Sequence, residues 1–406
     1  MTDTRTAADE VYWDPFDIDI DTDPYAIWRR MRDEHPVYRN DRYDFWALSR
    51  FDDVEAAHRD IKTFSSAHGT VLEIMGPESM AGTGQMIFLD PPDHTRLRSL
   101  VSRAFTPRRI SALESRIRDL CVDFLDAAGA NSRFDYVQDF GARLPAMVIA
   151  SLLGVPLEDQ NRVRATIDQM FHLEPGVGMI NDVSLEAMLE LGQYLTAQIE
   201  ERVTAPRDDM LTDLVQAEIV DDDGVQRRLT VEESTIFGVL LISAGTETVA
   251  RLLGWAAITL DQHPDQRAQL AADPSLIPNA VEELLRYEAP SPVQGRWTTD
   301  EVTLHDTTIP KDSKVLLLTG SAGRDERKYP DAERFDIHRA FDHHVSFGYG
   351  IHFCLGAALA RMEGRIALEE TLRRFPEWRV DTDAAVRLHT STVRGWVNVP
   401  IEVSPS

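Results

Sequence analysis

One of only two cysteines in this 406-residue chain sits in the stretch Phe347-Gly348-Tyr349-Gly350-Ile351-His352-Phe353-Cys354-Leu355-Gly356. Ahead of Cys354, glycines and aromatics offer a tight backbone that another group can approach closely. Behind it, the residues from Ala357 to Glu363 are strong helix formers. The pattern predicts a cysteine where a loop becomes a helix, facing unpaired N–H groups and the positive end of the helix dipole, both of which favour thiolate over thiol. A thiolate so placed can hold a metal centre. The commoner fate of a lone cysteine is an inert buried thiol, but that role requires no glycines and phenylalanine at fixed offsets. A zinc site built from His343, His344, His352 and Cys354 lacks the second thiolate that a structural site normally takes.

The arrangement Phe-Gly-x-Gly-x-His-x-Cys-x-Gly is met at every fixed position by Phe347, Gly348, Gly350, His352, Cys354 and Gly356. It resembles the haem-ligating signature of the cytochrome P450 superfamily, in its bacterial, soluble, ferredoxin-dependent form. The resemblance implies a mainly α fold with small β-sheets, an α-rich prism enclosing haem b with a minor β subdomain. It makes Cys354 the axial ligand of the haem iron and those signature residues part of the cofactor site. It also implies one domain over residues 1–406, with β-rich parts mainly at 35–60, 293–320 and 376–403.

Composition agrees with a large globular protein: 43% of residues are apolar and 27% charged. The formal net charge of −26 argues against general nucleic-acid binding. The N-terminal residues lack the basic flank and apolar core of a signal peptide, and no uninterrupted apolar run reaches about 18 residues. The expectation is therefore a cytoplasmic monomer without a membrane anchor. Two cysteines imply no disulfide framework, and Cys121 reads as a small core residue.

Thr230-Val231-Glu232-Glu233 is a capping box that opens the longest helical pattern in the chain. No proline interrupts it before about Gln262, which gives roughly 48 Å at 1.5 Å per residue. Glu247 and Arg251 break its hydrophobicity and exclude a transmembrane reading. The apolar run 236–242 leads into Ala244-Gly245-Thr246-Glu247-Thr248, where a carboxylate stands beside a hydroxyl, costly to bury without a partner or a purpose. Gly245 lets another group come close to the helix backbone, and threonine can bond back to a carbonyl of the preceding turn. These five residues are similar to the family's Ala/Gly-Gly-x-Asp/Glu-Thr motif. The likeness implies a place over the distal haem face, with Ala244 and Gly245 against the cofactor and Glu247 and Thr248 delivering protons during oxygen activation.

Asp90-Pro91-Pro92 starts a helix on which His94 and Arg98, four apart, share a face. By resemblance these two, with Arg296, hold the haem propionates. Glu283-x-x-Arg286 becomes a buried ion pair that steadies the cysteine loop, and Arg334 is the candidate for the basic residue that joins it. From His94 to Arg118 the chain carries Arg96, Arg98, Arg103, Arg108, Arg109, Arg116 and Arg118 against the single acid Glu114. In so acidic a chain this local inversion would steer an acidic electron carrier, a ferredoxin with its reductase, to the neighbourhood of Arg96, Arg103, Arg108 and Arg109.

The irregular stretch 65–85 roofs the substrate pocket in the family, which makes Val71, Leu72, Ile74 and Met75 candidates there; ordinary loop packing is the alternative. Residues 140–220 read as helices broken at Gly154-Val155-Pro156 and again at 174–178. In the family this region is the lid, which adds Met170, Phe171, Met179 and Ile180. Leu240, Val293, Gln294, Thr392 and Val393 complete the candidate pocket. The implied activity is haem-thiolate monooxygenation, one oxygen atom of O2 entering a hydrophobic small organic substrate, with electrons from a separate ferredoxin. Two alternatives remain: a peroxide-driven peroxygenase, which typically replaces the acid–threonine pair, and a non-catalytic haem-thiolate gas sensor, which has no need of it.

Overall fold

The computed structural model describes residues 11–102, 105–171, 181–220 and 224–403. Its longest element follows from the capping box. Thr230 Oγ1 accepts from the Glu233 amide at 3.1 Å, and the Glu233 carboxylate accepts from the Thr230 amide at 2.8 Å. Two donors that the helix start would leave unpaired are thereby satisfied. The helix runs unbroken over Val231–Gln262. By length and composition it could cross a membrane, but 61% of its most apolar window is buried inside the protein.

Around this central helix pack Arg143–Leu153, Asp182–Thr204, Ile277–Tyr287 and Ala357–Arg374. Ala357–Arg374, the cysteine helix, crosses it at Gly364, where a Cβ would lie 3.3 Å from a Leu252 methyl carbon. The apolar faces of these helices merge in one cluster that includes Cys121, Leu144, Ile149, Leu253 and Leu284, each such burial contributing roughly 1.5–3 kcal/mol. Cys121 is a core residue, as its sequence context indicates.

The β-rich parts at 35–60 and 293–320 meet in a five-stranded sheet. Its order is Val37–Asn40, Phe45–Leu48, Lys314–Leu317, Gln294–Thr298 and Phe64–Ser65. Lys314–Leu317 runs parallel to Phe45–Leu48, with Val315 opposite Trp46; the other pairs are antiparallel. In the C-terminal part, Val386–His389 pairs with Arg394–Asn398 and Trp378–Val380 with Pro400–Val403. The second of these ladders gains Arg133–Asp135, and Glu218–Val220 pairs with Gln226–Arg228. These additions fall outside the expected β-rich parts because strands of three residues are too short to show alternation.

The irregular stretch holds only brief 3-10 turns, at Leu72–Ile74 and Ala81–Thr83. Gly154 and Pro156 separate Arg143–Leu153 from Leu157–Met170. The break at 174–178, with Met179 and Ile180, lies outside the described residues, as does Arg103.

Candidate active site

Gly348 and Gly350 bend the cysteine loop with φ of 67° and 70°, a region that favours glycine. A Cβ on Gly350 would sit 2.6 Å from the His58 carbonyl oxygen, so the loop lies pressed onto the helix Phe51–Arg59. The Cys354 amide donates to the Phe347 carbonyl at 2.9 Å and closes the loop on itself. The following helix starts at Ala357 with Gly356 as its N-cap. Cys354 therefore stands just ahead of the first turn, not within it. Burial pushes its thiol pKa up; the Gly356 amide, Arg98 and Arg361 pull the other way. A metal cation at the sulfur would reverse that upward push.

Beside the loop lies a cluster of basic side chains, His58, His94 and Arg296 buried and Arg98 and His352 half-buried. His94 is 1% exposed, and neither ring nitrogen has a hydrogen-bond partner among the described residues. The His352 ring lies 4.2 Å from that of His94, centroid to centroid, and its Nε2 is also unpartnered. Arg98 donates to the Phe353 carbonyl at 2.6 Å. Buried Arg296 donates to the Gly295 carbonyl at 2.7 Å and places Nη2 3.4 Å from His58 Nδ1. His58 Nε2, too, is without a partner among the described residues.

Burial, helped by Arg98, lowers His94 to about 4; burial and Arg296 lower His58 to about 3. His352 falls to about 2 through burial and then the charges of Arg296, His94, Arg98 and His58. Arg296 itself is brought down to about 10 by burial, with Asp90 opposing. A guanidinium and unsatisfied imidazoles buried together are costly unless an anion joins them. The donor set suits two carboxylates, and haem b carries two propionates, so the residues present fit that cofactor. Four of them were expected from sequence; His58 was not, because its helix is an ordinary amphipathic one.

On the central helix, Glu247 Oε1 accepts from Arg251 Nε and Nη2 at 2.9 and 2.7 Å, with side chains only 12% and 9% exposed. Arg251 also donates to the Trp396 carbonyl. The acid thus has a partner one turn on, a residue that sequence marked only as an interruption of the apolar run. Thr248 Oγ1 donates back to the Ala244 carbonyl at 3.1 Å, the local bond its residue type suggests. Ala244 is exposed although much of the helix around it is core. The group nearest the bare face of Gly245 is Ile149, at 3.5 Å from where a Cβ would stand. The close approach there is a packed neighbouring helix.

Glu283 and Arg286 are wholly buried and doubly bonded, at 2.7 and 2.8 Å. The basic residue that joins them is Arg339, whose Nε lies 3.2 Å from Glu283 Oε2. The expectation of Arg334 is corrected: its side chain is exposed, and it contributes only its carbonyl, 3.2 Å from Arg286 and 2.8 Å from Arg339. The turn after Asp331 carries the Arg334 side chain outward while pointing its carbonyl in. From the same helix, Leu285 accepts a bond from Ser346, and Glu282 binds His344 and Arg361. The ion-pair helix is thus tied to the cysteine loop.

The pocket candidates divide. Leu72, Met75 and Val293 are packed in a core cluster with Trp13 and Trp28, the alternative of ordinary packing. Gln294 Oε1 reaches toward Gly348 in the cysteine loop. Met170 and Leu240 belong to the main core; Val71, Ile74, Phe171, Thr392 and Val393 are half-buried. The arginine cluster is partly neutralised in space. Arg109 pairs with Asp213 at 2.7 Å, Arg96 with Asp93 at 3.3 Å, and Arg118 with Glu369 and Glu370 at 2.6 and 2.7 Å. Arg108 is exposed.

Known proteins share this architecture. Residues 42–402 match the cytochrome P450 family. Putative cytochrome P450 123 of Mycobacterium tuberculosis is 42% identical over 401 residues, 98% of each chain. The vitamin D(3) 25-hydroxylase of Pseudonocardia autotrophica is 38% identical over 388 residues, 94% of each chain. The structure of CYP109Q5 from Chondromyces apiculatus is similar with a TM-score of 0.88 at 34% identity, over 97% of this chain and 98% of that one. With the thiol loop, the basic cradle and the acid–alcohol pair on one framework, the chain belongs to the cytochrome P450 family of haem b monooxygenases.

Proposed function

We propose that the chain inserts one atom of O2 into a hydrophobic small organic molecule, with haem b held through Cys354 and electrons delivered by a separate ferredoxin and its reductase. The observation that carries this reading is the cradle of buried His94 and Arg296 with half-buried Arg98 and His352 beside a glycine-bent cysteine loop. It calls for a dianionic cofactor whose metal a thiolate can hold.

Haem, when bound, supplies oxygen binding and activation. The rest falls to this chain. Cys354 gives an anionic sulfur tempered by the Gly356 amide. His94, Arg98, Arg296 and His352 would hold the propionates, and His58 would support Arg296. Thr248 and Glu247 would relay protons taken up from solvent; turning the hydroxyl away from the Ala244 carbonyl, and the carboxylate away from Arg251, frees both for that task. Glu283, Arg286 and Arg339 hold the loop that presents the sulfur.

The electron carrier docks near Arg96, Arg103, Arg108 and Arg109. The exposure of Arg108 supports this, while the pairing of Arg109 and Arg96 leaves them less charge to offer. Half-buried Val71, Ile74, Phe171, Thr392 and Val393 are the candidate substrate wall. The vitamin D(3) 25-hydroxylase relative makes vitamin D(3) the first compound to offer. We take the chain as one domain over 1–406, acting as a cytoplasmic monomer.

Reconstitution with a ferredoxin and its reductase under 18O2 tests the reading. The expected result is one labelled oxygen per product molecule and oxygen uptake that depends on substrate. Faster turnover with peroxide alone would make the protein a peroxygenase. Absence of turnover with compounds that shift the haem spectrum would make it a sensor.

A further inference from the structure

Phe347, the first residue of the cysteine loop, is enclosed by a charged assembly that the mechanism above does not use. The Arg361 guanidinium carbon lies 4.6 Å from the centroid of its ring. The imidazole of His344 lies 5.8 Å away at an interplanar angle of 33°. Both are anchored on one carboxylate. Arg361 Nε and Nη2 donate to Glu282 at 2.6 and 2.9 Å, and His344 Nε2 lies 3.1 Å from the second Glu282 oxygen. The Ser346 amide donates to His344 Nδ1 at 3.3 Å, which leaves the ring hydrogen on Nε2, directed at Glu282. Burial pushes the Glu282 carboxyl up, but its hydrogen bonds to His344 and Arg361 outweigh this and hold it at about 2.

The assembly reaches the sulfur through the loop residue it encloses. Phe347 supplies the carbonyl that binds the Cys354 amide. Arg361 stands on the helix Ala357–Arg374 that follows Cys354, and its guanidinium faces the ring of that same Phe347. Arg361 thus brings a positive charge, and Glu282 a negative one, to the residue that binds the Cys354 amide.

We propose that Arg361 and Glu282 form a matched charge pair that sets the electron richness of the Cys354 thiolate, Arg361 stabilising the reduced haem and Glu282 restraining it, with Phe347 and His344 fixing their geometry. The inference rests on Cys354 being the haem ligand. Reduction adds an electron beside the thiolate, so a nearby positive charge favours the ferrous state and a nearby negative charge the ferric state.

Redox titration of the haem-loaded wild type and of Arg361→Gln, Arg361→Lys and Glu282→Gln tests it, with the reduced carbon-monoxide spectrum recorded for each. Arg361 is 38% exposed and Glu282 25%, so solvent screens both. The expected change in the ferric–ferrous equilibrium is about threefold per charge, equal to about 28 mV at 59 mV per tenfold for one electron. Arg361→Gln shifts it toward ferric, Glu282→Gln toward ferrous, and Arg361→Lys, which keeps the charge, restores the wild-type value. Shifts of the same sign in the two Gln variants, or no shift in proteins that keep the thiolate spectrum, overturn the proposal. If Arg361→Gln loses its haem, the sign for Glu282→Gln decides alone. A wild type without the thiolate spectrum defeats the underlying reading instead, so the two failures are distinguishable.

Discussion

Replacing Arg339 should damage the protein far more than replacing Arg334, five residues earlier on the same turn. Arg339 places its guanidinium 3.2 Å from a carboxylate that is fully buried, with its own side chain 9% exposed. It also donates to the carbonyls of Pro330, Asp331 and Arg334 at 2.6, 3.0 and 2.8 Å. Hydrogen bonds from a charged group contribute about 1.5–3 kcal/mol each when their partners are left unsatisfied. Water can reach this rim and re-solvate some carbonyls, so Arg339→Ala should cost about 2–4 kcal/mol. Glu283→Ala strands Arg286 in the interior and should cost about 3–5 kcal/mol. Arg334→Ala removes an exposed side chain, keeps the carbonyl, and should stay within about 0.5 kcal/mol. Urea titration of the three haem-loaded variants, followed by haem absorbance and tryptophan fluorescence together, gives the ranking. An Arg334→Ala variant as unstable as Arg339→Ala would refute this account of the loop's support.

Acid should weaken the haem-free protein early. His58 and His94 stay neutral in the fold, at about 3 and 4 against 6.5 unfolded, so the unfolded chain takes up more protons as pH falls below 6.5 and stability drops toward pH 4. A urea midpoint that is flat across that window contradicts the buried, anion-seeking cradle, and loading with haem should flatten a slope that is present. Glu363 is wholly buried, its Oε2 has no partner among the described residues, and burial pushes its carboxyl well above the usual range. A raised carboxyl loses stability as pH climbs, so Glu363→Gln should be near neutral at pH 5 and stabilising by about 1 kcal/mol or more at pH 8, read from the same midpoints. Thr248→Ala should keep haem and its spectrum but send a larger share of electrons to hydrogen peroxide, measured as peroxide against product; unchanged coupling would remove Thr248 from proton delivery.

The cysteine loop was legible because its residue types are imposed by backbone geometry: Gly348 and Gly350 occupy left-handed conformations, and Gly350 has no room for a Cβ. The central helix was legible because its cap is local, four residues that bind one another. What escaped depends on distant partners. His58 joins the cradle only because the loop folds onto its helix, and Arg339 replaces Arg334 because a turn decides which side chain points inward. Leu72, Met75 and Val293 became core once Trp13 and Trp28 covered them, a contact that no local pattern announces. Likewise the arginine cluster met Asp213, Glu369 and Glu370 from far along the chain.

The central claim is that the sulfur of Cys354 binds the iron of a haem seated in the basic cradle. Its most direct test is the absorbance spectrum of the reduced, carbon-monoxide-bound protein, in wild type and in Cys354→Ala. The account predicts the long-wavelength band of thiolate ligation in the wild type and its loss in the variant. A wild-type band typical of nitrogen ligation, or a thiolate band that survives the substitution, would contradict it.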